Sequence, residues 1–281
     1  MPDLNTILAA KAPLTLSGLA RGAQPLVLAD LARAAKGQGT GGRAVFIAPD
    51  EAAMQAVADS AAFFAPELEV LTFPAWDCLP YDRASPAVSI SARRLAALHR
   101  LQAKADRPQL LVTTINAALQ RVLTPFRIRE SVRLLKPGME IGRESLIALL
   151  QRQGYSRTDT VVDAGEYAVR GSIFDIYPSG LDAGLRLDFF GDELETLRLF
   201  DPNTQRSTGV MDEHLLLPAS EALLDEESVK RFRTRYREQF GANATSDPLY
   251  QAVSDGRRLA GMEHWLPLFE ERIVTLFDHL S

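Results

Sequence analysis

The sequence predicts an α/β fold, an open sheet of Rossmann or RecA type with a small α+β unit set into it. Three observations predict this. Between residues 14 and 114, short apolar runs bounded by turn residues alternate with helical segments. From about Thr114, strand-like pieces follow one another at close spacing with one helix among them. From about Val210 helices return.

The elements justify themselves in order. Gly18, Gly22 and Pro25 punctuate the start, and residues 26–33 read as a helix. A glycine-rich loop, 37–42, leads to 44–49, an apolar run suited to a buried parallel strand. An alanine-rich helix over 50–64 precedes a second strand, 69–73; a helix over 89–101 precedes a third, 109–114. Between strands two and three, Pro74, Pro80 and Pro86 with Trp76 and Tyr81 make a rigid loop packed on aromatics. Cys78 lies in that loop with no His or Cys at metal-ligand spacing, His99 being the nearest histidine in sequence, so it is read as structural.

Residues 116–123 read as a short helix, 131–135 as a strand before the Pro137-Gly138 turn, 144–153 as a helix and 155–162 as a strand. Residues 221–240 read as a long amphipathic helix, with Val229, Phe232, Tyr236 and Phe240 at helical spacing. Its run of Lys230, Arg231, Arg233, Arg235 and Arg237 suggests nucleic acid. Glu226 and Glu227, four residues before Lys230 and Arg231, instead favour a solvated face. Residues 241–246 read as a loop. Trp265, Leu266, Leu268 and Phe269 then supply apolar surface with little chain left to cover it, as in a chain that stops inside a domain.

Composition narrows the function classes. A chain of 281 residues suggests two or three units, and 46% apolar with 24% charged residues suits a soluble protein with a sizeable core. The net charge of −5 argues against a module whose main task is gripping phosphate backbones. A single cysteine precludes an intramolecular disulfide and fits a reducing compartment. No basic, then apolar, leader opens the chain, and no apolar run nears the roughly 18 residues of a membrane span; the expectation is a cytoplasmic, soluble protein.

An α/β sheet of RecA type raises the question of a phosphate loop. Residues 17–24 lie where one belongs, just before a helix. A working loop needs lysine for the β/γ phosphates and Ser/Thr for magnesium, and Ala23 and Gln24 occupy those places. The stretch Gly18, Gly22, Ala23, Gln24 is either an ordinary turn or a degenerate phosphate loop, and both readings remove nucleotide hydrolysis.

The densest strand pattern lies in residues 165–206. Leu185, Leu187 and Phe189 share one face, which is predicted to be core; Arg186, Asp188 and Phe190 share the other. Glu166, Ala168 and Arg170 likewise share a face, and parity places Arg170 near Arg186 on one exposed sheet surface. Two readings stand. One is a solvated face with ion pairs each worth roughly 0–1 kcal/mol. The other is a protein-docking face, since arginine and aromatic anchors dominate interface energies, and Phe190 beside two charges favours it. Carboxylate pairs for acid/base work can be drawn from Asp188 and Glu193 or from Asp175 and Glu166, but no histidine falls in the stretch, which argues against a hydrolase.

Three strings, GEYAVRGSIFDIYPSG, LRLDFFGDELETLRLFDPNTQRS and FPAWDCLPYDRASP, closely resemble the N-terminal module of the bacterial transcription-repair coupling factors (Mfd), a module itself similar to UvrB of nucleotide excision repair. The likeness runs from about residue 16 to 267. It implies a RecA/UvrB-like α/β domain in two segments, 1–118 and 209–281, the second packing on the first and cut short, with a small α+β domain, 119–208, inserted between them. It also implies that the inserted domain binds UvrA and recruits the excision machinery to a stalled RNA polymerase. Family positions implicated in that contact fall on Arg170, Arg186 and Phe190, with Asp188 a weaker carry-over from UvrB. In the family, ATP and Mg2+ serve a C-terminal motor, and RNA polymerase and DNA are bound by domains beyond this module; no cofactor, metal or catalytic residue is expected in these 281 residues. Ala23 and Gln24 stand where UvrB has Lys and Thr, and residues 81–86 leave no room for the tyrosine-rich hairpin with which UvrB probes DNA. The alternative is a UvrB-like nucleic-acid-binding ATPase or helicase domain.

Overall fold

A computed structural model describes residues 4–37 and 42–280, a mixture of helix and sheet. The chain divides into two compact units: Met1–Ala75, Ala97–Gln120 and Thr275–Ser281 form the first, Trp76–Ala96 and Arg121–Val274 the second.

The first unit holds three parallel strands, β1 (Arg43–Ala48), β2 (Glu69–Phe73) and β3 (Gln109–Thr114), in the order β1-β3-β2. Central β3 is buried along its whole length, as a parallel strand flanked on both edges should be. Ala44, Phe46, Val70, Leu110 and Val112 point to one face, where the helices Gln24–Gly37 and Glu51–Phe64 lay down Ala29, Ala32, Met54, Val57 and Ala61. Small alanines let both helices approach the sheet closely. Asp50 starts the second helix by accepting the N–H of Ala53 at 2.8 Å. Most of the glycine-rich loop read over 37–42, namely 38–41, lies outside the described residues.

The second unit is built on a six-stranded sheet, β11-β10-β9-β8-β7-β6, where β6 is Ser156–Arg157, β7 Glu166–Arg170, β8 Ile173–Ile176, β9 Gly184–Phe190, β10 Glu193–Phe200 and β11 Ser207–Val210. Its pairs are antiparallel except β6 with β7. Helix Arg143–Arg152 buries Leu146 and Leu150 against Tyr167, Phe174, Ile176, Leu185, Leu187, Phe189 and Leu197 in one core. Two short antiparallel pairs complete the unit: β4 (Val122–Leu123) with β13 (Ile273–Val274), and β5 (Arg133–Leu135) with β12 (His214–Leu216).

Four expectations change. Of the strand read over 155–162, only Ser156–Arg157 pairs: the Glu166 carboxylate takes the N–H groups of Val162 (2.8 Å) and Asp163 (2.9 Å) and bends the chain out of the ladder. The long helix begins at Glu226, not 221, because the Glu221 side chain is committed to a fully buried ion pair with Arg94 and Asp225 caps the helix on the Ser228 N–H. The basic run on that helix is only partly a solvated face. Arg231 and Arg235 donate to the carbonyls of Phe269 (2.6 Å), Pro267 (2.7 Å) and Glu270 (2.6 Å), satisfying the open end of helix Leu266–Phe269. The apolar residues near the end are covered: Phe269 stacks on Phe232 at 4.5 Å, and Trp265 meets Tyr236 and Phe240.

The grouping of segments also departs from boundaries at 118 and 208. Residues 209–274 group with the β-rich stretch, and only Thr275–Ser281 group with the first unit. The physical reason is the β5–β12 pairing, continued by the N–H groups of Ala219 and Leu224 donating to the carbonyls of Gln153 (2.9 Å) and Arg152 (3.0 Å).

Candidate functional site

The docking candidates sit on the face of the six-stranded sheet opposite the core. Two-residue turns, Gly171-Ser172 and Gly191-Asp192, join β7 to β8 and β9 to β10, and Gly171 (φ 61°) and Gly191 (φ 62°) supply the left-handed backbone such hairpins need. The turns fix the register within each hairpin, and β8 pairs with β9 across the longer connection 177–183. Ala168 faces Asp175, Asp175 faces Arg186 and Arg186 faces Arg198; one step along, Arg170 faces Ile173, Ile173 faces Asp188 and Asp188 faces Thr196. Directly opposed residues share a face, so Arg170, Asp175, Arg186, Asp188, Phe190 and Arg198 point the same way. Leu185, Leu187 and Phe189 point into the core.

Asp175 organises this face. Its carboxylate is buried, and both oxygens are taken: Oδ1 accepts Arg186 Nε at 2.7 Å, and Oδ2 accepts Arg186 Nη2 at 2.9 Å and Arg170 Nη2 from the other side. The structure thus brings Arg170 and Arg186 together through a shared anion. Hydrogen bonding to Asp175 holds the Arg186 guanidinium above its usual pKa range. Arg186 also lies over the Phe200 ring at 4.8 Å, and its Nη1 donates to the Gln205 carbonyl at 3.3 Å. Phe200 can occupy that place only because residue 184 is glycine: a Cβ there would meet the Phe200 ring at 2.2 Å.

The remaining candidates differ in freedom. Arg186 is largely enclosed, with 19% of its side chain exposed, whereas half of the Arg170 side chain is open to solvent. Asp188 lies across β8 from Arg170 and accepts the Ser172 hydroxyl at 3.1 Å. Phe190, at the end of β9 opposite Glu193, is 75% exposed. Of the carboxylate pairs considered for acid/base work, Asp175 and Glu166 are otherwise engaged, Asp175 with two arginines and Glu166 with backbone N–H groups.

Sequence reasoning placed Asp175 on the sheet but missed its role. The signal was available: an aspartate in phase with Ile173 and Tyr177, opposite the apolar Phe174 and Ile176, between two strands that carry arginine. Gln205 and Gly184 carried no such pattern, because their roles depend on partners far along the chain.

In the first unit, Gly22 and Ala23 belong to a single turn, Arg21–Ala23, and Gln24 is the first residue of helix Gln24–Gly37. Gly22, Gln24, Pro25, Phe46 and Asp50 help line an open cavity of about 630 Å³. Among the described residues its lining presents the Asp50 carboxylate and no cation, the opposite of what a polyphosphate requires. Gly18 has a left-handed backbone (φ 73°) in the segment before the turn.

In the second unit, the fold brings His264 to Cys78, with Nε2 3.8 Å from Sγ. The same Nε2 lies 3.1 Å from the Ala84 carbonyl and donates to it. Burial, then the carboxylates of Asp77, Glu263 and Asp82, push the Cys78 thiol up, the opposite of the shift that activates a thiol. Among the described residues no group of three or more His, Cys, Asp or Glu side chains is placed to hold a metal ion, and no helix is long and apolar enough to cross a membrane.

Residues 134–221, which contain this face, match the family model described as the UvrB interaction domain. Over 214 residues, 75% of this chain, the sequence is 38% identical to the transcription-repair-coupling factor of Haemophilus influenzae. Over 239 residues, 85% of the chain, it is 34% identical to that of Escherichia coli, and it is 35% identical to that of Myxococcus xanthus over 84% of the chain. The chain spans about a fifth of the length of these relatives, 18% of the first and 21% of the second.

Proposed function

We propose that this chain, a homologue of the transcription-repair-coupling factors with a UvrB interaction domain at residues 134–221, is a non-catalytic module that docks UvrA on the Arg170–Phe190 face. In this reading it links a stalled RNA polymerase to nucleotide excision repair in the cytoplasm. Polymerase contacts, DNA translocation and the use of ATP and Mg2+ belong to parts of the longer relatives outside this chain. The three-stranded parallel sheet is read as a reduced RecA/UvrB-like domain that has lost its phosphate chemistry at Ala23 and Gln24, and the β-rich stretch as a domain inserted in it.

The observation that carries the reading is Phe190. It is a large ring, 75% exposed, at the end of a strand whose other outward residues are tied down by hydrogen bonds. A rigid polar face ending in an uncovered aromatic is preorganised for a protein partner, because little side-chain entropy remains to be lost on binding. Arg170 adds a half-exposed cation.

The test is titration of UvrA with the wild-type chain, Phe190→Ala and Arg170→Glu. Phe190 is exposed enough that Phe190→Ala should shift unfolding by no more than about 0.5 kcal/mol. Arg170→Glu also sets a carboxylate beside the buried Asp175, so its binding is read alongside its own unfolding curve and against Arg170→Ala. Loss of a central anchor should weaken UvrA binding by about 2 kcal/mol, roughly thirtyfold. Equal UvrA affinity in all three proteins refutes the assignment. Arg186→Glu is a poorer probe, since it also strands the buried Asp175.

A further inference from the structure

We propose that Gln205 is a positioning residue of the docking face: from a left-handed turn it holds Arg186 in place between Asp175 and Phe200, and so tunes partner affinity without touching the partner. The inference rests on the docking reading above. Gln205 is one of two non-glycine residues with positive φ among the described residues, at 61°. A side chain with a Cβ persists there only when its surroundings over-determine it. They do so here. The Gln205 N–H donates to the Asp201 carbonyl at 2.7 Å, and its amide Nε2 donates to the carbonyls of Val161 (2.9 Å) and Pro202 (2.6 Å). Asp201 in turn accepts the N–H groups of Asn203 and Thr204, which hold its carboxyl below the usual range and close the turn.

This arrangement delivers one thing to the face. With the backbone turned left-handed, the Gln205 carbonyl accepts Arg186 Nη1, at 3.3 Å. Asp175 grips the Nε–Nη2 edge of the guanidinium, Phe200 lies against its plane, and the Gln205 carbonyl fixes the remaining nitrogen. Three supports on three sides leave the group one orientation. Meanwhile the Gln205 Oε1 is buried with no partner among the described residues. Leaving a buried acceptor unpaired carries a desolvation cost, which the two bonds from the donor end of the same amide offset.

The experiment uses the whole chain with Gln205→Gly, which accepts the backbone conformation and removes the tie to Val161. Gln205→Asn, which also accepts it but is one methylene too short for that tie, is the second variant should the first fail to fold. The Arg186 Nε–H resonance, identified by its absence in Arg186→Lys, is followed by 1H–15N NMR without partner, and UvrA affinity is measured in parallel. The expected result is a shifted or broadened Nε–H signal, a 5- to 10-fold loss of UvrA affinity (about one ordinary hydrogen bond) and under twofold further loss when Gln205→Gly is added to Arg186→Ala. An unchanged Nε–H signal with unchanged affinity overturns the proposal, as does an equal loss in both backgrounds, which would mark a merely structural role. If the wild-type chain does not bind UvrA, the docking reading falls, and the NMR comparison alone still decides whether Gln205 holds Arg186.

Discussion

Replacing Asp175 with asparagine tests the construction of the face most directly. The wild-type carboxylate is fully enclosed and accepts three N–H groups from two arginines. Asparagine has nearly the same shape but offers one oxygen and turns an NH2 toward a guanidinium. At least one charge-assisted bond is lost, at about 1.5–3 kcal/mol, and those that remain go to a neutral amide oxygen. Arg186, 19% exposed, then keeps a charge with little access to water, a situation that costs about 3–5 kcal/mol at a dry site. Arg170 is half exposed and recovers most of its solvation, which discounts its share. The net expectation is a loss of about 3 kcal/mol, or about 6–12 °C in the melting transition of the second unit. Urea unfolding followed by circular dichroism measures it, with Arg170→Ala as a control expected to cost about 1 kcal/mol or less. A loss under about 1 kcal/mol in Asp175→Asn would mean that the arginines do not depend on the buried carboxylate.

Three further outcomes are expected. Gly184→Ala sets a methyl group where the Phe200 ring lies at 2.2 Å, so it should cost about 1–3 kcal/mol or more by overpacking and should also displace Arg186, detectable as a changed Nε–H signal; an unchanged melting temperature would contradict the close approach. Glu221→Gln breaks the fully buried pair with Arg94 and weakens the bond from Trp76 Nε1 (2.9 Å), with about 3–5 kcal/mol lost and red-shifted tryptophan emission; native-like emission and stability would refute it. Burial lowers the His214 pKa from 6.5 to about 4, so the folded state resists protonation that the unfolded chain accepts, and stability falls as pH drops from 6.5 toward 4. His214→Leu should remove up to about 3 kcal/mol of that decline, and a pH–stability curve parallel to the wild type would sink the assignment.

Much of this architecture is legible in the sequence because its causes are local. The alternation of apolar and polar residues in 185–190 dictates which side chains are core, and glycines at 171 and 191 dictate where the ribbon folds back. Alternating strands and helices before residue 114 give the parallel sheet, since each run must bury its apolar side against the next element. Strands were overextended where a side chain competes for backbone donors: nothing in the composition of 155–162 announces that Glu166 will take the N–H groups of Val162 and Asp163.

What the sequence by itself determined is the outward row of Arg186, Asp188 and Phe190, because a period of two leaves no other choice; its place across β8 from the strand of Arg170 was only suggested, since residues 177–183 join β8 to β9 without a tight turn. Only the tertiary structure decided how those charges are spent. Asp175, an apparent surface carboxylate by composition, is buried between two arginines; Gln205 reaches back to Val161 across the loop; and Glu221 leaves the helix it was assigned to because Arg94 waits for it in the interior. Local periodicity fixes direction along a strand, but the partner of a buried charge is set by desolvation, which no local pattern encodes.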